Sequence, residues 1–132
     1  MGDSHPFAVT FLGDNPHATQ RAGVYEQALE LTDLVDRIVE ATEARFHHKD
    51  LLDRSATVVA LRIAQAAGET SKSERRSQYR NARRAATDCA AVLDILSRRR
   101  NARPGDADLL APARALILTL VAQLAHLATG QV

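Results

Sequence analysis

A single cysteine, Cys89, stands among 132 residues. No disulfide can form within the chain, and nothing points to an oxidising compartment. Aromatic residues make up 4% and tryptophan is absent; such a composition suits close-packed helices better than sheets. Proline and glycine number four and six, and most fall in residues 1–23 and 101–108. Long stretches therefore run without a breaker. The N-terminus, MGDSHPF, lacks a basic segment followed by an apolar run, so no signal peptide is expected. The most apolar run, residues 115–129, falls short of the ~20 residues of a membrane span and is interrupted by Gln123 and His126. No Gly-rich phosphate loop is present, since Gly68-Glu69-Thr70 lacks the required spacing. These absences lead us to expect a soluble, cytoplasmic protein with no cofactor and no enzymatic activity. The length fits one domain with a modest core.

Charge is balanced in total, with 17 Lys+Arg against 16 Asp+Glu, but it is not evenly spread. Glu26, Glu30, Asp33, Asp36, Glu40 and Glu43 crowd residues 24–44, where Arg37 is alone among cations. Residues 71–103 reverse the balance, with nine arginines and Lys72 against Glu74, Asp88 and Asp94. This segregation is the main electrostatic feature of the chain.

Apolar residues recur at alternating steps of three and four in four segments, the spacing of an amphipathic helix. The first helix is expected from about Val24 to Phe46, with Ala28, Leu31, Val35 and Ile38 as its seam, widened by Leu34 and Val39. His47-His48-Lys49-Asp50 reads as a break, with Asp50 as N-cap of a second helix over roughly Leu51–Ala67. Leu52, Ala56, Val59, Ile63 and Ala66 form its seam, and Gly68 fits its stop. A third helix is capped by Ser71 or Ser73 and runs to about Arg99. Ser71 with Glu74 matches a capping box. Its seam is Tyr79, Ala82, Ala86, Cys89, Leu93 and Ile95/Leu96. A loop at 101–108 precedes a fourth helix, about Ala107–Ala128, which either starts near Ala111 or bends at Pro112. Leu110, Ala113, Ile117, Leu120, Leu124 and Leu127 form its seam. Leu116, Leu118 and Val121 add apolar surface elsewhere, and a helix apolar nearly all round implies a subunit interface. The expected fold is all-α: an antiparallel up-down-up-down four-helix bundle over residues 24–132 that oligomerises. Residues 1–23 read as an irregular arm, whose patch at 7–12 (FAVTFL) is apolar enough to dock on the bundle or on a neighbour.

At ~100° per residue, Arg76, Arg80, Arg83 and Arg84 share one sector roughly 100° wide beside the third seam, loosely extended by Lys72. Guanidinium forks suit phosphate oxygens, so these five residues are the candidate nucleic-acid contacts. A solvated face, or pairing with the acidic stripe of the first helix, explains them equally simply. No aromatics interleave with them for base stacking. Arg98, Arg99, Arg100 and Arg103 form a second basic patch, more cheaply explained by the helix dipole. His47-His48 lacks metal-ligand spacing, and His126 suits an interface or core histidine. Cys89 on the seam reads as a small apolar residue, and the acidic stripe as a solvated face.

The block Arg62–Leu96, RIAQAAGETSKSERRSQYRNARRAATDCAAVLDIL, resembles a bacterial four-helix-bundle family. Its members include proteins encoded by intervening sequences in large-subunit ribosomal RNA genes. The accessory variability proteins of diversity-generating retroelements are relatives of the same fold. Gly68, Ser71 and Lys72 fit the family's G-x-x-S-K loop. Tyr79, Arg80, Ala82, Arg83, Cys89, Ala90, Leu93 and Asp94 fit its following helix. The chain departs where the family reads N-I-A-E-G, having Arg62-Ile63-Ala64-Gln65-Ala66, and Asp88 stands for the usual Glu. The resemblance extends weakly over 24–129. It implies a homopentamer and, for the retroelement relatives, a basic surface for RNA or DNA and a reverse transcriptase partner. The rival expectation is a structural oligomer that docks a protein partner, with no role in nucleic-acid binding.

Overall fold

In the computed structural model, residues 18–129 form four α-helices, and side chains are described from Gly23 onward. The helices are α1 (Ala18–Ala41), α2 (Phe46–Gly68), α3 (Lys72–Arg98) and α4 (Asp106–Thr129), with no strand among the described residues. Each packs on two others. α2 lies between α1 and α3, and α4 closes the ring between α3 and α1. The backbones of the diagonal pairs α1/α3 and α2/α4 stay apart. Residues 1–17 of the expected arm, with the apolar patch at 7–12, lie outside the described residues, and residues 18–23 are helical rather than irregular, because α1 begins at Ala18, six residues before Val24.

The expected seams are the core. Ala28, Leu31, Val35 and Ile38 of α1 meet Leu52, Ala56, Val59, Ile63 and Ala66 of α2, all buried. α3 supplies Tyr79, Ala82, Ala86, Cys89 and Leu93, and α4 supplies Leu110 through Leu127 at the expected positions. Val24, Ala85 and Val92 join them. Each large buried aliphatic side chain contributes about 1.5–3 kcal/mol by leaving water. On α3 the seam ends on Leu96, because Ile95 is 39% exposed. Alanines and Cys89 dominate that seam, so neighbouring backbones can approach closely.

The link between α1 and α2 differs from the expected one on both sides. α1 ends at Ala41, where the Thr42 hydroxyl donates to the Ile38 carbonyl at 2.8 Å. α2 begins at Phe46, after Arg45 takes an extended backbone (φ −65, ψ 148). His47-His48-Lys49-Asp50 is therefore the first turn of α2, not a break. Asp50 is not its N-cap and instead pairs with Arg54 one turn on. Burial of His48 draws this turn into the helix, a tertiary effect that local composition does not carry.

α3 starts as expected. Ser71 caps it by accepting from the Glu74 N–H at 3.3 Å. Gly68 closes α2 without a left-handed turn, and the chain leaves through an extended Glu69 (φ −83, ψ 135). The Glu69 N–H donates to the Ala66 carbonyl at 3.2 Å and closes the last turn, and Arg75 donates to the Glu69 and Thr70 carbonyls at 3.0 and 3.2 Å, tying the link to α3. α4 starts at Asp106 and continues through Pro112, rather than starting near Ala111. By length and composition alone, α4 is long and apolar enough to cross a membrane.

Candidate nucleic-acid interface

α3 carries the basic stripe. Lys72, Arg80 and Arg84 are exposed, and Arg76 and Arg83 are partly buried. At 1.5 Å per residue the stripe runs about 18 Å from Lys72 to Arg84. The stripe's flank is fixed by two contacts. Gln78, on one side of α3, accepts from Arg62 of α2 at 3.2 Å. Asp94, on the other, pairs with Arg114 of α4. By the helical period Arg76 and Arg83 lie near the Asp94 side of α3, and Arg80 and Arg84 lie farther round toward solvent.

None of the five cations makes an ion pair or hydrogen bond among the described residues. The ion pairs there are Arg54–Asp50, Arg103–Asp106 and Arg114–Asp94. Arg75, one residue before Arg76, is by contrast spent on the α2–α3 link. The acidic stripe of α1 cannot neutralise the cations within one chain, since α1 and α3 are diagonal in the ring. Its five carboxylates, and Glu43 in the link that follows, are themselves exposed. The stripe also carries an internal cost. Lys72/Arg76, Arg76/Arg80 and Arg80/Arg84 are like charges one turn apart, each destabilising the helix by about 0.2–0.5 kcal/mol.

Arg62 and Gln65 of α2 take part in a clasp with α3. Arg62 donates to Gln65 and to Gln78, both at 3.2 Å, and Gln78 donates to Glu69 at 3.2 Å. The clasp ties α2 to α3 at Gln78, which lies between Arg76 and Arg80 along the helix. Glu74 beside it has its pKa raised, first by a hydrogen bond to Glu69, then by that residue's charge and by desolvation.

The other titratable candidates separate clearly. Cys89 is fully buried, and its thiol is pushed up to about 12 by burial and then by Asp88. No thiolate nucleophile is available there at neutral pH. His126 is exposed rather than in the core. Among the described residues no group of three or more His, Cys, Asp or Glu side chains could hold a metal ion.

One basic feature was not expected as a site. Arg45, from the α1–α2 link, meets Arg98, Arg99, Arg100 and Asn101 around a cleft at the C-terminal end of α3. The arginine triplet was visible as a patch in sequence, but no local signal brings Arg45 to it. Comparison with protein-family models, curated proteins and solved structures returns no match.

Proposed function

We propose that this protein is a non-enzymatic, self-assembling four-helix bundle that binds RNA or DNA through Lys72, Arg76, Arg80, Arg83 and Arg84. The observation that carries this reading is the unpaired state of the stripe. Five cations line one side of α3 with no carboxylate partner among the described residues, at a cost in helix stability. A polyanion would relieve that repulsion and release its own counterions, which favours sequence-independent binding to phosphates. The inert Cys89 thiol supports the non-enzymatic part.

Short links of four, three and seven residues join helices that touch, which supports an antiparallel up-down-up-down course. Self-assembly is supported by the outward side of α4. There Ala111, Ala115, Leu118 and Ala122 recur at steps of four, three and four, all exposed, with Leu118 at 61%. A pentamer, a reverse transcriptase partner and a cytoplasmic setting follow from the family resemblance and the composition. The acidic side of α1, equally without ion pairs among the described residues, supports a second reading, a scaffold that docks a basic protein partner.

Fluorescence anisotropy with RNA and duplex DNA over a salt series tests the first reading. Affinity should fall steeply as salt rises, and no measurable binding at about 50 mM salt refutes it.

A further inference from the structure

The cleft at the far end of α3 lies about 21 Å from the last arginine of the stripe, by the helical rise from Arg84 to Arg98. Its volume is about 470 Å³, and its walls are Arg45, Arg98, Arg99, Arg100 and Asn101. Four guanidinium groups and one amide line it, with no carboxylate. None of the four arginines joins an ion pair among the described residues.

The cleft is built from two loops laced together. The Asn101 side-chain amide donates to the Glu43 carbonyl. Arg103 donates to the Ala41 carbonyl and holds Asp106 on its own side of the turn. These cross-links set the α3–α4 turn against the α1–α2 link, and so carry Arg45 to the arginine triplet. Their effect is to hold like charges together, which costs free energy unless an anion sits between them.

The N-terminal turn of α2 opens beside Arg45 with no side-chain cap. Its amide N–H groups and dipole add positive potential. Within that turn His48 is 8% exposed, and its Nδ1 is buried without a hydrogen-bond partner. Its pKa is held below the ordinary value by burial, by His47 and then by Arg99 and Arg45, which puts two of the cleft arginines within electrostatic reach of the ring. A second hollow adjoins the cleft through Arg98 and Arg99 and is lined by Asp94, Ile95, Ser97 and Arg114. It offers an apolar side chain and a hydroxyl to whatever carries the anion.

We infer that Arg45, Arg98, Arg99 and Arg100 form a binding site for a phosphate dianion, a phosphomonoester or pyrophosphate group whose organic part rests toward Ile95 and Ser97. Guanidinium forks match phosphate oxygens in pairs, and four of them suit a group of more than one negative charge. This site is distinct from the α3 stripe and does not depend on it.

The test is an NMR titration of the full chain with inorganic pyrophosphate at constant ionic strength. Saturable shifts are expected at residues 44–48 and 98–101, with binding weakened at least roughly tenfold in the Arg45→Gln, Arg99→Gln double variant. Arg80→Ala with Arg84→Ala should leave this binding unchanged, which separates the site from the nucleic-acid reading. Arg45 is exposed and Arg99 partly buried, and a thermal melt no lower than that of the wild type certifies the variant's fold. Competition by a 5′-phosphorylated dinucleotide, but not its 5′-hydroxyl counterpart, would assign the phosphate to a nucleic-acid end. Failure of both to compete would assign it to a free phosphate compound. The inference is overturned by the absence of saturable shifts up to roughly 10 mM pyrophosphate. Shifts that survive the Arg45/Arg99 double variant undiminished overturn it equally.

Discussion

Replacing Arg80 and Arg84 with alanine removes two exposed charges from the middle and end of the α3 stripe. Neither side chain has a partner among the described residues, so the fold should not weaken. Relief of the Arg76/Arg80 and Arg80/Arg84 repulsions and the higher helix propensity of alanine both favour the variant by a few tenths of a kcal/mol. The binding consequence is larger. Each phosphate contact contributes about 0.9 to the slope of log affinity against log salt on duplex DNA. A stripe of five cations can neutralise at most five phosphates per chain, a limiting slope of about −4.5. Removing two contacts should make the slope shallower by up to about 1.8 per bound chain, and the loss of affinity should be greatest at low salt. Anisotropy at four or more salt concentrations measures both slopes. Arg75→Ala is the control, because Arg75 is occupied by the Glu69 and Thr70 carbonyls. It should loosen the α2–α3 link and leave the slope nearly unchanged. The reasoning is refuted if the double variant keeps the wild-type slope, or if Arg75→Ala changes the slope as much.

Three further outcomes are expected. Leu118→Glu places a charge on the outward side of α4 at a position 61% exposed, so the single bundle should keep its melting temperature while an assembly through α4 dissociates; light scattering reads the mass, and a wild-type monomer would remove the self-assembly proposal. Cys89, buried with its thiol raised to about 12, should react with a thiol reagent only as fast as the bundle opens, and rapid labelling of native protein would contradict its placement. His48 has a folded-state pKa below 6.5, so the unfolded chain takes up that proton first. Its contribution to stability is therefore present above pH 6.5 and lost as pH falls from there through the folded-state value. Urea midpoints measured above and below pH 6.5 should show this loss, and His48→Gln should reduce it.

Much of the bundle was legible because its helices are amphipathic over many turns. Ala28, Leu31, Val35 and Ile38, or Leu110 through Leu127, need only a 3.6-residue period to be recognised as core. The Ser71 cap was equally legible, since it depends on residues three apart. The misread stretch is 42–50, where the helix start follows from burial of His48 and from the extended Arg45 rather than from any local stop signal. Asp50 had the right chemistry for a cap but lies four residues inside the helix, and there it pairs with Arg54.

The chemistry of the surface divides in the same way. That α3 bears an arginine stripe follows from spacing along one helix, and the sequence alone determined it. Whether those arginines are free is a question of which helix lies opposite. Only the ring order, with α1 diagonal to α3, decided that the acidic stripe cannot reach them. The cleft of Arg45 with Arg98, Arg99 and Arg100 depends on the tertiary structure even more fully. Its parts are more than 50 residues apart along the chain, and they meet because the Asn101 amide and the Arg103 guanidinium bind the carbonyls of Glu43 and Ala41. A periodic pattern specifies which side of a helix faces inward. The neighbours of its outward side depend on how the loops join the helices, and that is a property of the assembled bundle.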